Sequence, residues 1–380
     1  MFHMLPLSLY IHIPWCIQKC PYCDFNSHKS PSVLPEVDYV EAVLQDLSED
    51  LKQLPPRPIH TIFIGGGTPS LLSEHAYGLL FEGLHARLDL SQVQEITLEA
   101  NPNSIERERF KAYRALGINR LSIGVQSFNA KHLKKLGRVH NDIDAKKAID
   151  MARAAGFDNI NLDIMHGLPE QSTQEALLDI ETALSYEPEH LSWYQLTLEP
   201  NTVFYSKPPR LPQENTCLEI EHLGQAKLCD AGFMHYEISA FSMPNMQSKH
   251  NMNYWQFGDY YGIGAGAHSK WSDEHLSHIY RLEKNRQPKA YLDANKPFVA
   301  TKREVAQSER LFEYMLNATR LNQPLTFQAL NLATDLNITP EHPLFVKASQ
   351  KGLLKLTKTH WQITDFGRQF TSDLQALFLP

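Results

Sequence analysis

The sequence predicts an α/β fold that begins with a partial (β/α)6 barrel. An irregular α+β extension and a C-terminal module similar to a winged helix follow it. Short apolar runs alternate with amphipathic segments six times in about the first 200 residues, which is typical of strands and helices around a parallel sheet. Polar and glycine-rich motifs follow the ends of the predicted strands. Two changes in character along the chain predict three regions, residues 1–205, 206–300 and 301–380.

The six predicted strands and their helices belong to the first region and its border. Apolar residues occupy every second position of residues 7–13, which predicts the first strand. The predicted strands are residues 7–13, 59–64, 94–99, 120–125, 159–164 and 190–197. Helices are predicted between residues 37 and 54 and near residues 73–88, 104–115, 142–155, 172–185 and 214–231.

Six units predict a partial barrel because a complete eight-unit barrel typically needs ~250 residues. The alternative is a doubly wound open sheet. That fold usually carries the motif G-x-G-x-x-G after its first strand, and three cysteines follow the first strand here.

The C-terminal region, residues 301–380, has its own pattern. Helical segments near 305–318 and 341–351 precede two short strands and a closing helix, which resembles a winged helix. Such modules can bind DNA, but this region carries a net charge of only +2. We therefore favour a packing or partner-docking role and predict no nucleic-acid partner.

Composition and charge place the chain among globular proteins. Of 380 residues, 42% are hydrophobic and 21% are charged, and the net charge is −7. No apolar run approaches the ~18 residues of a membrane span, and residues 1–6 lack the pattern of a secretory signal. We expect a cytoplasmic protein without a transmembrane segment, while peripheral membrane contact and oligomeric state stay open.

The motifs after the predicted strand ends share one expected location. In parallel β/α architectures the carboxyl ends of the strands form the rim where active sites are built. The motifs are Cys16, Cys20 and Cys23, then Gly65 to Pro69, Glu99 with Asn101, Gln126, and Asp163 with the segment from His166 to Pro169. Five motifs on one rim predict a cofactor-binding site or an active site there.

The spacing Cys16-x3-Cys20-x2-Cys23 indicates a metal centre. Three thiolates on one loop can hold three irons of a [4Fe–4S] cluster and leave the fourth iron open. The alternatives are structural zinc with His12 or His28 as a fourth ligand, or three unliganded thiols. Zinc sites usually come as two CxxC-like pairs, and the absence of a second pair favours the cluster.

Four polar side chains on the rim suit a zwitterionic ligand with hydroxyl groups. Glu99 and Asp163 can accept hydrogen bonds from an ammonium group or from hydroxyls. Gln126 supplies an amide, and Arg138 can pair with a carboxylate. The glycines before Thr68 can let backbone groups approach a ligand closely.

Two groups of motifs carry a resemblance to a known family. Residues 10–23, YIHIPWCIQKCPYC, and residues 65–69, GGGTP, resemble the radical S-adenosylmethionine (SAM) superfamily. The stretch GVQSF at 124–128 and the pattern D-x3-GLP at 163–169 resemble its oxygen-independent coproporphyrinogen III oxidase-like group. The similarity extends over nearly the whole chain.

The resemblance implies an iron–sulfur cluster, [4Fe–4S], on Cys16, Cys20 and Cys23, with SAM chelating the open iron. The implied SAM contacts are Tyr10, Tyr22, Gly66, Gly67, Thr68, Glu99, Gln126, Arg138 and Asp163. In this superfamily the reduced cluster cleaves SAM to methionine and a 5′-deoxyadenosyl radical, so a reductant is implied as well. No catalytic side chain is assigned, and whether the chain is an enzyme stays open.

Two features separate subfamilies. The oxidases carry a further cysteine two residues after the third and a longer N-terminal segment, and Phe25 occupies the position of that cysteine here. The segment His250-Asn251-x-x-Tyr254-Trp255 matches the H-N-x-x-Y-W motif of the HemW-type haem chaperones. This resemblance implies binding of haem and its delivery to apo-haemoproteins, with coproporphyrinogen oxidase activity not expected.

The haem site depends on that motif. The resemblance makes His250 the candidate haem ligand, and His268, after a glycine-rich segment, is a second candidate. The residues alone favour a buried aromatic turn with a hydrogen-bonded histidine. The functional alternatives are oxygen-independent coproporphyrinogen III oxidase, which decarboxylates propionates, and a radical SAM enzyme that modifies RNA.

Overall fold

The fold is built on one large mixed sheet. The computed structural model describes residues 5–54, 56–103, 109–273 and 277–380. In chain order the strands are β1 (Leu7–Ile13), β2 (Trp15–Cys16), β3 (His28–Lys29), β4 (Thr61–Gly66), β5 (Glu95–Ala100), β6 (Arg120–Gln126), β7 (Ile160–His166), β8 (His190–Gln195), β9 (Met234–Glu237), β10 (Ala240–Ser242), β11 (Asp259–Ile263), β12 (His268–Ser272), β13 (Ile279–Lys284), β14 (Val299–Glu304), β15 (Leu325–Thr326), β16 (Leu354–Leu356) and β17 (His360–Ile363).

Helices alternate with these strands through the first 230 residues. The larger helices are Glu36–Asp50, Glu74–His85, Phe110–Ala115, Ala130–Lys135, Asp142–Ala154, Thr173–Leu184, Glu214–Asp230, Lys249–Trp255, Gln307–Ala318, Phe327–Thr334, Pro343–Gln350, Asp365–Gln369 and Thr371–Ala376. Their starts carry local signals, such as the capping box of Ser172 with Glu175. The predicted helix at 104–115 begins on residues 104–108, which lie outside the described ranges.

The six predicted strands form the parallel centre of the sheet. Their order is β1-β4-β5-β6-β7-β8, and each pairs in parallel with its neighbour. The sequence of a strand that is buried on both faces is a nearly continuous run of apolar residues. Every residue of β6 is buried. The observed bounds lie within two residues of the predicted ones, so the partial (β/α)6 architecture is confirmed.

Residues 232–300 are more regular than the sequence suggests. Six strands that begin in this segment, β9 to β14, join the large sheet, with β11 parallel to β1 at one edge of the parallel centre and β10 antiparallel to β8 at the other. They protect both edges of the parallel centre from pairing with another chain. Their apolar alternation is hidden by buried charges, since Asp259 lies between Arg57 at 2.7 Å and Lys270 at 3.0 Å.

The C-terminal region forms a second core. Its three short strands have the order β15-β17-β16 and are antiparallel. Trp361 is fully buried among Tyr314 and Phe345, and this core also includes Phe257 from the middle region. The predicted helices and strands of a winged-helix-like module are present. None of the helices in the described ranges combines the length and hydropathy that a membrane span requires.

Candidate functional site

A cavity of about 480 Å³ opens at the carboxyl ends of the parallel strands. The sequence-predicted residues that line it are Cys16, Cys20, Cys23, Tyr22, Gly66, Gly67, Thr68, Glu99, Gln126, Arg138 and Asp163. Tyr10 and His250 are not among its described lining residues. One cavity therefore brings together eleven of the twelve residues implied for the cluster and SAM.

Backbone pairing anchors the cysteine loop at the end of β1. The two-stranded ladder β2–β3 aligns Trp15 with His28 and Cys16 with Lys29. The Gly67 N–H donates to the Ile13 carbonyl at 2.7 Å, and the Thr68 N–H donates to the Trp15 carbonyl at 2.8 Å. The loop after β4 thus continues the sheet beside Cys16 and holds it at the cavity wall.

The three half-buried thiols suit a cluster better than a single zinc ion. Among the described residues, no group of three or more His, Cys, Asp or Glu side chains is placed to hold one metal ion. His12 uses both ring nitrogens, toward the Tyr10 hydroxyl at 2.9 Å and the Asn26 carbonyl at 2.9 Å. The three thiols lie on one short loop at the cavity wall, where each can bind a different iron of one cluster. The donor set therefore fits a [4Fe–4S] cluster.

The glycines at the end of β4 are required by close packing. Gly66 has φ +115°, and a Cβ atom there would lie 2.5 Å from the His12 ring. A Cβ atom on Gly67 would lie 2.6 Å from the Trp15 carbonyl oxygen. The backbone of this loop can approach its neighbours only without side chains. Gly66 also donates its N–H to Glu99 Oε2 at 3.0 Å, which orients that carboxylate.

Two half-buried carboxyl groups give the cavity its acidic wall. Desolvation, aided by the nearby charge of Asp163, raises the pKa of Glu99 to about 8. Desolvation also raises the pKa of Asp163, although Asn161, Ser192 and Ser122 donate hydrogen bonds to it. Such carboxyl groups gain from a bound ammonium group or hydroxyl donors. This wall fits the amino and ribose groups of SAM.

Arg138 supplies the basic side of the same cavity. Its Nη2 donates to Asn101 Oδ1 at 2.5 Å and to the Gly124 carbonyl at 2.9 Å. Its Nη1 lies 3.7 Å from Cys20 Sγ, and its buried Nε has no hydrogen-bond partner. A guanidinium group that is hydrogen-bonded on one side can still donate hydrogen bonds to a carboxylate on the other side. This arrangement fits the carboxylate of SAM beside the cysteine loop.

Gln126 occupies a strained position at the end of β6. Its φ of +69° lies in the left-handed region, which is uncommon for residues other than glycine. Its Oε1 accepts a hydrogen bond from the Tyr194 hydroxyl at 2.8 Å. Sequence reasoning did not single out Tyr194. Its place at the end of a predicted strand was the available signal.

Tyr10 lies one layer below the cavity. It stacks on Phe63 with ring centroids 6.2 Å apart, and its hydroxyl bonds to His12 Nδ1. His12 in turn packs against Gly66. The residue therefore supports the glycine loop from beneath.

His250 lies on the helix Lys249–Trp255, fully buried against β4. Its Nδ1 bonds to Thr61 Oγ1 at 2.9 Å, and its Nε2 bonds to the Tyr254 hydroxyl at 2.8 Å. Burial lowers the pKa of His250 to about 3, so the ring is neutral at pH 7. From the residues alone we expect a buried, hydrogen-bonded histidine in an aromatic turn. The structure has the buried histidine, but on a helix instead of a turn. His268 is exposed on β12.

Comparisons with known proteins identify the family of the chain. The family described as the radical SAM superfamily matches residues 10–182, and the HemN C-terminal domain matches residues 305–370. The chain is 46% identical to "Heme chaperone HemW" of Escherichia coli (strain K12), over 100% of both chains. It is 44% identical to the protein of the same name from Haemophilus influenzae, over 98% of both chains.

Proteins with lower sequence identity also match nearly the whole chain. A Bacillus subtilis protein with the name "Heme chaperone HemW" is 34% identical over 98% of this chain and 99% of its own. The solved structure of Escherichia coli coproporphyrinogen III oxidase, HemN, has the same fold with a TM-score of 0.82, at 22% identity over 99% of this chain and 90% of that chain. The chain therefore belongs to the HemW haem chaperone family of the radical SAM superfamily.

Proposed function

We propose that this chain binds a [4Fe–4S] cluster, SAM and haem, and delivers haem to apo-haemoproteins. Cys16, Cys20 and Cys23 hold the cluster, which in this superfamily supplies the electron for SAM cleavage. A separate reductant restores that electron. The observation that supports the proposal most is the single cavity that these thiols share with the acidic wall and Arg138.

The residues around the cavity divide the recognition of SAM. Glu99 and Asp163 accept from its amino and hydroxyl groups, and Arg138 pairs with its carboxylate. Tyr22, Gly66, Gly67, Thr68 and Gln126 complete the wall, and Tyr10 supports it from one layer below. Most of the side chains that line the cavity are half-buried or buried.

The haem proposal depends on the helix Lys249–Trp255. His250 is its candidate ligand, but both ring nitrogens are bonded in this conformation. For His250 to hold haem, the Tyr254 hydroxyl would have to release Nε2, while Thr61 could keep its bond to Nδ1. The relatives named as haem chaperones support delivery of haem, and the likeness to the oxidase at 22% identity extends to the fold alone.

One pair of incubations distinguishes haem chaperone activity from coproporphyrinogen III oxidase activity. Anaerobically reconstituted protein is mixed with haem, or with coproporphyrinogen III, SAM and a reductant. We expect a Soret band that persists through gel filtration, transfer of haem to an apo-haemoprotein, and no decarboxylation. Decarboxylation at enzymatic rates without haem retention would contradict the proposal.

The role of His250 is tested by substitution. We expect His250→Ala to lower haem affinity or to shift the Soret band while four irons per chain and SAM binding persist. His268→Ala tests the second candidate ligand, which is exposed on β12. Loss of haem binding in the His268 variant alone would keep the function and relocate the ligand.

A further inference from the structure

A row of inward-facing side chains crosses four strands below the cavity. The strand register aligns Tyr10 with Phe63, Phe63 with Thr97, and Thr97 with Arg120. Residues aligned in neighbouring strands point to the same face of a sheet. The row therefore begins with two aromatic rings and ends with a guanidinium group.

Arg120 is a buried cation without a bonded partner. Its side chain is 2% exposed, and its Nε has no hydrogen-bond partner. Within the described residues, no hydrogen bond or ion pair reaches its other nitrogens either. Burying a charged donor without a hydrogen-bond acceptor is costly, and a ligand carboxylate would supply that acceptor.

The groups around Arg120 offer its guanidinium group no hydrogen-bond acceptor. Glu95, the buried acid of the neighbouring strand, is occupied by the backbone N–H groups of Lys249 and His250 at 2.9 and 3.0 Å. Burial and the charge of Arg120 lower the pKa values of His250 and His190, so both rings stay neutral. Tyr236 is a neutral phenol, because burial raises its pKa.

The charge of Arg120 counters the rise in the pKa of Asp163, but the Asp163 carboxylate accepts its hydrogen bonds from Ser122 at 3.2 Å and Asn161 at 2.8 Å. It lies on the cavity wall. Arg120 and Ser122 are two residues apart on the same face of β6, which places Arg120 about 6.6 Å below that wall. A ligand that reaches past Ser122 meets the guanidinium group.

The opposite end of the row offers flat apolar surface. Tyr10 and Phe63 are both half-buried and stack at 6.2 Å. Phe63 also packs on the His250 ring at 5.1 Å, and His250 meets Tyr254 edge to face at 4.8 Å. Aromatic faces bind planar apolar molecules. The interior therefore suits a flat apolar molecule that carries a carboxylate.

We infer that Arg120 binds a carboxylate of the ligand held in the barrel interior, while Tyr10 and Phe63 contact its flat apolar body. This inference rests on the function proposed above, on which the ligand is haem and the carboxylate is a propionate. It assigns Arg120 a role in choosing among porphyrins by their acidic side chains.

The test compares haem with its dimethyl ester, in which both propionates are uncharged. Affinities are measured by Soret titration for the wild type, Arg120→Gln and Arg281→Gln. Arg281 is the matched control because it is already paired with Glu313 and bonded to the Tyr260 hydroxyl at 2.9 Å. We expect the wild type and the control to prefer haem over the ester by about ten- to a hundredfold, and Arg120→Gln to lose that preference.

A second measurement is independent of haem. Because Arg120 has no internal partner, Arg120→Gln should unfold thermally at the same or a higher temperature than the wild type in the absence of ligand. If Arg120→Gln keeps the preference for haem, or loses much of its thermal stability, this inference is overturned but the proposed function is not. Failure of the wild type to bind haem would overturn the proposed function and the inference with it.

Discussion

Glu99 and Asp163 are two half-buried carboxyl groups on one cavity wall, and the charge of Asp163 adds to desolvation in raising the pKa of Glu99 to about 8. At neutral pH the ligand-free protein therefore keeps a proton on Glu99. A bound cation would release that proton, because it favours the ionised form. The wall is thus prepared for a positively charged group.

The first prediction concerns stability against pH. Between pH 5 and 8 folded Glu99 holds a proton that the unfolded chain releases, so this residue makes stability fall as pH rises, by at most about 1.4 kcal/mol per pH unit. Glu99→Gln should remove this dependence. Urea unfolding at pH 5.5, 6.5 and 7.5 measures it, and equal slopes in both proteins would contradict the raised pKa.

The second prediction concerns the cluster. Replacing Cys16, Cys20 or Cys23 by Ala should abolish the four irons per chain and the broad visible absorbance after anaerobic reconstitution, because each thiolate holds a separate iron. Cys217→Ala and Cys229→Ala are the controls and should retain both signals. If anaerobically purified protein contains one zinc ion per chain and no chromophore, the cluster prediction is contradicted and the zinc alternative is supported.

The third prediction concerns Arg138. Arg138→Gln should weaken SAM binding by about ten- to a hundredfold, since a charge-assisted hydrogen bond contributes roughly 1.5–3 kcal/mol. The iron content should stay unchanged. Arg153→Gln, which removes a half-buried arginine paired with Glu189 away from the cavity, serves as the control in the same calorimetric titration. Equal SAM affinity in all three proteins would remove Arg138 from the site.

The fourth prediction concerns the glycine loop. Gly66→Ala should destabilise the protein by roughly 2–6 kcal/mol, because it adds both positive-φ strain and a clash with the His12 ring. Gly78→Ala makes the opposite change, since a Cβ atom there meets nothing within 4 Å. On the helix Glu74–His85 it should stabilise by about 1 kcal/mol. Chemical denaturation of the two variants compares them directly.

Much of the fold could be predicted because the parallel centre has a simple pattern. Strands buried on both faces carry runs such as Ile-Phe-Ile before Gly65, and their ends are marked by polar or glycine-rich residues. The site followed from the same rule, since the ends of parallel strands meet at one rim. Tyr194 was missed because an isolated tyrosine at a strand end has no distinguishing pattern.

The rest depended on contacts that are distant in sequence. The buried ion pairs of Asp259 interrupt the apolar alternation that would have revealed β11 and β12. The hydrogen bond of His250 to Thr61 joins residues that are 189 positions apart in the sequence. Arg120 resembles any polar residue at the start of a strand, and only the register with Thr97 places it in the interior.

The position of β11 beside β1 has a consequence for synthesis on the ribosome. The first strand of the chain finds one neighbour in β4 but must wait for Asp259 before its second neighbour exists. Non-local pairing of this kind slows folding, and an unpaired strand edge attracts other chains in the meantime. Nascent chains that end before β11 should therefore need a ribosome-associated holdase, whereas chains that extend beyond β14 should not.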